Sequence, residues 1–292
     1  MSKVRNCLKR SAIAMAVIYV VFCAAVYFRP QLFFYNPVHR NSNLEVARKN
    51  GYPAEQVEYA AADGTKLLAW YTKPHTGRPV IVFMHGNSYN VEKFYHKMIP
   101  LMEAGYGTFM PEYRGFGNVP GVITQQNLGT DALAAVKYLH SLGYQNRDIV
   151  IYGMSLGSYM ATNTVYALGR EEPFAALILE VPFDSLYNVV KMIVPVPLPF
   201  DLIVRDRYDN LDKIADVRTP LLIMGGSEDT LVPVVLAQNL YKHAAEPKKM
   251  IIYEGAGHND LYNYRNYKEN YADIVGQLMQ LISLNVELFH YP

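Results

Sequence analysis

Residues 11–28 form the longest apolar run in the chain, preceded by Lys3, Arg5, Lys9 and Arg10 and closed by Arg29-Pro30. As a helix this run is about 27 Å long, close to the ~30 Å hydrocarbon thickness of a bilayer, so it predicts a membrane-spanning helix. From about residue 57 the pattern changes to short apolar runs, at 57–61, 67–72, 80–84, 107–110, 149–152, 176–181, 221–224 and 250–253, which predict strands. Asp63-Gly64 between the first two predicts a hairpin. The later runs are aliphatic throughout, as expected of parallel strands covered on both faces. Helical patterns at 91–104, 124–142, 156–168, 234–244 and 260–288 separate or follow them. The alternation predicts an α/β fold, a mostly parallel sheet with helices on both faces. One interval breaks the rhythm. Between residues 181 and 219 the chain carries Pro182, Pro195, Pro197 and Pro199 and an apolar stretch at 189–200. It is too irregular for one crossover helix and too apolar for a plain surface loop. It reads as a short cap, at about 184–212, over the carboxyl ends of the strands.

Charge divides the chain in two. The formal net charge is +1, yet residues 1–44 hold six Lys/Arg and no Asp or Glu, and the remainder nets −5. This predicts a basic N-terminal segment with a membrane anchor (1–30) followed by one domain of about 260 residues (31–292). Three readings of residues 11–28 compete: a signal anchor, a cleaved signal peptide with a small-residue site near Ala24-Ala25, and a lipoprotein signal with Cys23 lipidated. The length favours the anchor, since the apolar region of a signal peptide runs to only about 7–15 residues. Four basic residues before the span, and Glu45, Glu55 and Glu58 soon after it, predict a single pass with residues 30–292 on the non-cytoplasmic side. The alternative is a secreted or periplasmic form after cleavage. The balanced charge gives no reason to expect nucleic acid as a partner. Both cysteines, Cys7 and Cys23, lie in the first 23 residues, which leaves no cysteine for a disulfide framework or zinc site downstream.

Chemistry concentrates in four loops. Gly153-Met154-Ser155-Leu156-Gly157 is a G-x-S-x-G sequence between a predicted strand and a predicted helix. A serine on such a sharp turn needs small flanking residues, and Gly153 and Gly157 supply them. A serine hydroxyl needs a base to take its proton and an acid to orient that base. Asp229 follows the strand at 221–224, and His258 follows the last strand, both at carboxyl ends. Glu228 and Glu180 are the competing acids, of which Glu228 would point away. An oxyanion requires preorganised donors. Leu156 offers its backbone N–H directly after the serine, and Asn87, in the loop His85-Gly86-Asn87-Ser88, offers a second. His85 reads as a structural turn residue.

Together these residues resemble the α/β-hydrolase superfamily, with the chain order Ser155, Asp229, His258. Glu112-Tyr113-Arg114-Gly115-Phe116-Gly117 is similar to a D-Y-R-G-F/Y-G loop of that superfamily, with Glu in place of the usual Asp. Residues 179–183 and 226–233 resemble two further loops, and His85-Gly86-Asn87 together with an N-terminal membrane span is similar to the membrane-anchored α/β-hydrolase-domain (ABHD) proteins. The resemblance implies an α/β-hydrolase fold with a short cap. It implies a serine hydrolase of acyl esters or thioesters working through an acyl-enzyme on Ser155, with no cofactor and no metal. A small-molecule or lipid acyl substrate and a membrane, reached through residues 11–28, are the implied partners. A serine peptidase and a non-catalytic membrane-tethered binding protein are the alternatives. Relatives that process halides or epoxides use an aspartate nucleophile, which Ser155 argues against.

Overall fold

The computed structural model describes residues 2–49, 51, 54–261, 274 and 276–283. Helix α1 (Ser2–Phe28) carries the long apolar run. Among the described residues it is the one helix long and apolar enough to cross a membrane, and most of its side chains face outward.

Eight strands make the main sheet: β1 (Glu55–Ala60), β2 (Lys66–Thr72), β3 (Val80–Met84), β4 (Gly107–Glu112), β5 (Ile149–Met154), β6 (Ala176–Glu180), β7 (Leu221–Gly226) and β8 (Lys248–Tyr253). Their order across the sheet is β8-β7-β6-β5-β3-β4-β2-β1. The hairpin expected at Asp63-Gly64 pairs β1 and β2 antiparallel, Tyr59 opposite Leu67, and β2 runs antiparallel to β4. Every other pairing is parallel.

The parallel strands are buried on both faces because successive side chains point to opposite sides. Val80, Val82, Ile149, Ile151, Leu177 and Leu179 enter one core. Their neighbours Ile81, Phe83, Val150, Tyr152 and Ile178 enter the other. Helices α3 (Gln125–Ser141), α4 (Gly157–Leu168) and α8 (Val234–His243) cover the first face through Leu128, Met160 and Leu236. Helix α2 (Val91–Glu103) covers the second through Phe94, Met98 and Leu101. Thr124 starts α3 by accepting the Asn127 backbone N–H, an N-cap that satisfies one of the helix's unpaired donors.

The expected final helix is corrected at its start. Asp260 and Leu261 are not helical, and the Asp260 carboxylate instead accepts the Gly257 N–H at 2.6 Å. Helix is present at 274 and 276–283, and the rest of the 262–288 stretch lies outside the described residues. Between β6 and β7 the chain forms three short helices, α5 (Leu186–Ile193), α6 (Phe200–Ile203) and α7 (Leu211–Ile214).

Parallel register brings the functional loops to one edge. Met84 lies opposite Gly153, Met154 opposite Glu180, and Glu180 opposite Met224. The loops that leave β3, β5, β6 and β7 therefore emerge side by side at the carboxyl end of the sheet.

Candidate active site

Ser155 follows β5 directly and has a φ of +53°, a conformation that L-residues rarely adopt. Two contacts hold it there. Its N–H donates to the Glu180 carbonyl at 2.9 Å, and its carbonyl accepts the Ser158 N–H as the chain enters α4. The flanking glycines are required sterically. A Cβ on Gly157 would overlap the Met84 carbonyl, and one on Gly153 would overlap the Gly157 carbonyl. Gly157 thus lets the start of α4 pass directly over the Met84 carbonyl at the end of β3.

The structure brings Ser155, His258 and Asp229 together from loops far apart in sequence. The Ser155 Oγ lies 3.0 Å from His258 Nε2, and His258 Nδ1 lies 2.7 Å from Asp229 Oδ2. Asp229 is itself pinned, because its Oδ1 accepts the N–H groups of Leu231 and Val232. All three side chains are almost wholly buried, so their charges are screened less than at the surface. Gly226 lets the β7 loop pass the loop of His258, since a Cβ there would overlap the Ala256 carbonyl.

The competing acids sit elsewhere. Glu228 is exposed. Glu180 is fully buried, but it pairs with Lys97 Nζ at 2.7 Å and accepts the Tyr152 hydroxyl at 2.9 Å. Neither carboxylate is hydrogen-bonded to His258.

His85 is a structural residue. Its ring is fully buried, stacks on Phe94 and Tyr113, and donates from Nδ1 to the Gly86 carbonyl. Its Nε2 is 3.4 Å from Glu112. The longer Glu112 side chain reaches across to accept from Ser42 Oγ and the Val91 N–H, which ties β4 to the start of α2. Arg114 in the same loop grips buried Asp131 and reaches Asp63.

Asn87 and Leu156 both border the cavity at Ser155. The Asn87 loop is braced from the N-terminal segment. Its side-chain amide donates to the Phe34 carbonyl, its own carbonyl accepts the Asn36 N–H, and Asn36-Pro37 pairs parallel with Ser88-Tyr89. Sequence reasoning did not anticipate this brace or the Lys97–Glu180 pair. Both join residues 50 or more positions apart in ordinary-looking local sequence. Among the described residues, no three His, Cys, Asp or Glu side chains are grouped to hold a metal ion.

Ser155 opens on an apolar cavity of about 310 Å³ bounded by α5 and α6, and on a second, more polar cavity of about 450 Å³ that holds Lys93, His96 and Asn259. An activated serine between an apolar pocket and a polar pocket can cleave a bond joining an apolar acyl group to a polar partner.

Comparison with known proteins bears on this geometry. The family model of the prolyl oligopeptidase family matches residues 92–282. The protein YfhR of Escherichia coli is 29% identical over 91% of this chain and 95% of its own. The human α/β-hydrolase domain-containing protein 17B is 30% identical over 70% of this chain and 68% of its own. Among solved structures, an esterase of Pyrococcus furiosus superposes with a TM-score of 0.67 at 19% identity, over 85% of this chain and 97% of its own. At that identity the likeness speaks to the fold alone.

Proposed function

Because the chain belongs to the prolyl oligopeptidase family within the α/β-hydrolase superfamily, we propose that it is a membrane-anchored serine hydrolase cleaving acyl esters or thioesters. The hydrogen-bonded chain from Ser155 through His258 to Asp229, opening on an apolar cavity, carries the reading.

The steps follow from that geometry. His258 Nε2 takes the proton of Ser155 Oγ as the oxygen attacks the acyl carbonyl. Asp229 holds the His258 Nδ1–H and stabilises the imidazolium that forms. Backbone N–H groups of Asn87 and Leu156 receive the oxyanion. His258 then protonates the leaving oxygen or sulfur, and the acyl group stays on Ser155. Water, deprotonated by His258, releases the acid and restores the serine.

A peptidase is the second reading, favoured by the family whose model the chain matches. The ester reading rests on the apolar pocket beside the serine. The experiment is labelling of the full chain with a fluorophosphonate probe beside Ser155→Ala. Labelling of the wild type alone is expected, and labelling that survives in Ser155→Ala, or is absent from the wild type, overturns the mechanism. A panel of acyl esters, thioesters and peptide amides then separates the two readings. The catalytic domain is proposed to lie on the non-cytoplasmic side. Its resistance to external protease in intact vesicles that keep the non-cytoplasmic face outward would contradict that side.

A further inference from the structure

The apolar cavity at Ser155 has two walls of different origin. One is the cap, through α5 and α6. The other is the N-terminal segment, through Phe22 and Val26 of α1 and Phe33 and Phe34 just after it. Val26 is 5% exposed and packs with Cys23 against Val190, Ile203 and Val204 of the cap. The helix that reads as a membrane span is therefore also a wall of the reaction chamber.

The contact reaches well down the helix. The Tyr19 hydroxyl donates to the Pro197 carbonyl at 2.9 Å. Tyr19 precedes the helix end at Phe28 by nine residues, about 13 Å along the axis. With residues 11–28 crossing the bilayer, that depth puts the loop 194–199 inside the outer leaflet. The loop suits the place, since Val194-Pro195-Val196-Pro197-Leu198-Pro199 contains no charge. The cap exposes Ile193 and Leu202, and the helix exit exposes Phe28 and Leu32. Arg205 lies 5.0 Å over the Tyr27 ring, an aromatic and a cation together near the helix end, as at a headgroup boundary.

Beyond Ser155, the second cavity is lined by Ser88, Lys93, His96 and Asn259. The serine thus stands where an apolar chamber facing the membrane meets a polar one. At about 30 Å³ for a water-sized group, 310 Å³ accommodates roughly ten or more methylenes.

We propose that α1 is part of the acyl-binding site and that the substrate is a membrane-resident acyl ester. Its chain passes from the leaflet between α1 and the cap to Ser155, and its polar leaving group sits beside Lys93. The proposal rests on the serine hydrolase reading for the reaction but not for the binding. It also requires the N-terminal segment to stay on the chain, because cleavage near residue 25 would remove Phe22 and open the wall.

The test uses the full chain in phosphatidylcholine vesicles. In a Ser155→Ala background, which measures binding without turnover, a vesicle-borne fatty acyl probe with a terminal diazirine is photolysed. Cross-links to peptides from both α1 (residues 19–28) and the cap (186–204) are expected, falling at least fivefold in Val26→Trp, whose indole fills the chamber. Cross-links confined to residues 11–18, or unchanged by Val26→Trp, overturn the proposal. With active serine, Val26→Trp lowers the ratio of kcat/KM for p-nitrophenyl laurate over butyrate by tenfold or more. Ile13→Trp, on the outward face of α1, keeps that ratio within twofold. An unmoved ratio in Val26→Trp also overturns the proposal. Loss of fluorophosphonate labelling in the wild type would instead strike the reaction, and the cross-links would still decide the chamber.

Discussion

Lys97→Met deprives a buried carboxylate of its cation. Lys97 is 6% exposed and Glu180 not at all, with 2.7 Å between Nζ and Oε1. At that distance the gross attraction is about 6 kcal/mol for an effective dielectric of 20. Desolvation of the two ions offsets most of it, so the pair as a whole contributes little. Removing one member is costly, about 3–5 kcal/mol, because the other charge stays buried. Glu180 keeps the Tyr152 hydroxyl at 2.9 Å, which places the expected loss near 3 kcal/mol. For a domain of this size that lowers the melting temperature by about 6–12 °C. Thermal denaturation in detergent micelles, followed by near-UV circular dichroism, measures it. The double variant Lys97→Met/Glu180→Gln removes both charges, keeps an acceptor for Tyr152, and is expected within about 1 kcal/mol of the wild type. A single variant that melts within 2 °C of the wild type, or a double variant no better than the single, refutes the reasoning. The same double variant is expected to retain fluorophosphonate labelling, because the carboxylate hydrogen-bonded to His258 is that of Asp229. Loss of labelling in it, with labelling kept in Asp229→Asn, would transfer that role to Glu180.

Two further outcomes follow from the site and its surroundings. Asp229→Asn keeps an acceptor for the Leu231 and Val232 N–H groups but presents an amide to His258 Nδ1, so kcat for a p-nitrophenyl ester should fall by about 10³–10⁴ with the fold intact; a fall below tenfold contradicts the assigned role. Burial raises the Asp206 carboxyl above its ordinary value, against the smaller pull of the Gln125 backbone N–H and Arg205. As the pH rises past the ordinary carboxylate range the unfolded chain ionises first, so this group costs stability increasingly up to its raised pKa and constantly above it. Asp206→Asn should therefore melt higher than the wild type at pH 7, with the gap closing toward about pH 4, and a gap independent of pH would refute the assignment.

Much of the site was legible in the sequence because its signals are local. A serine on a strained turn needs small residues at fixed offsets, and Gly153 and Gly157 occupy them where a Cβ would overlap the backbone. Asp229 and His258 could be placed because each follows an aliphatic run that reads as a strand, and parallel strands deliver their carboxyl ends to one edge. The boundary at residue 260 was not legible. The helical pattern continues through Asp260 and Leu261, but Asp260 is held instead by the Gly257 N–H beside His258, a contact that periodicity does not encode.

By itself, then, the sequence determined the strand and helix alternation, the tight turn at Ser155, the chain order Ser155, Asp229, His258 and the presence of a long apolar run. Each is written in neighbouring residues, through side-chain period or the steric demands of one turn. Only the tertiary structure decided that Glu180 serves Lys97 and Tyr152, that Asn87 is braced by Phe34 and Asn36, and that α1 and the cap line one cavity. Those contacts join residues as far as 178 positions apart, as at Tyr19 and Pro197, and they depend on which surfaces the sheet brings together. An apolar stretch can face lipid, core or substrate with the same composition, and only packing shows that Cys23 and Val26 of α1 lie against the cap while most of the helix faces outward.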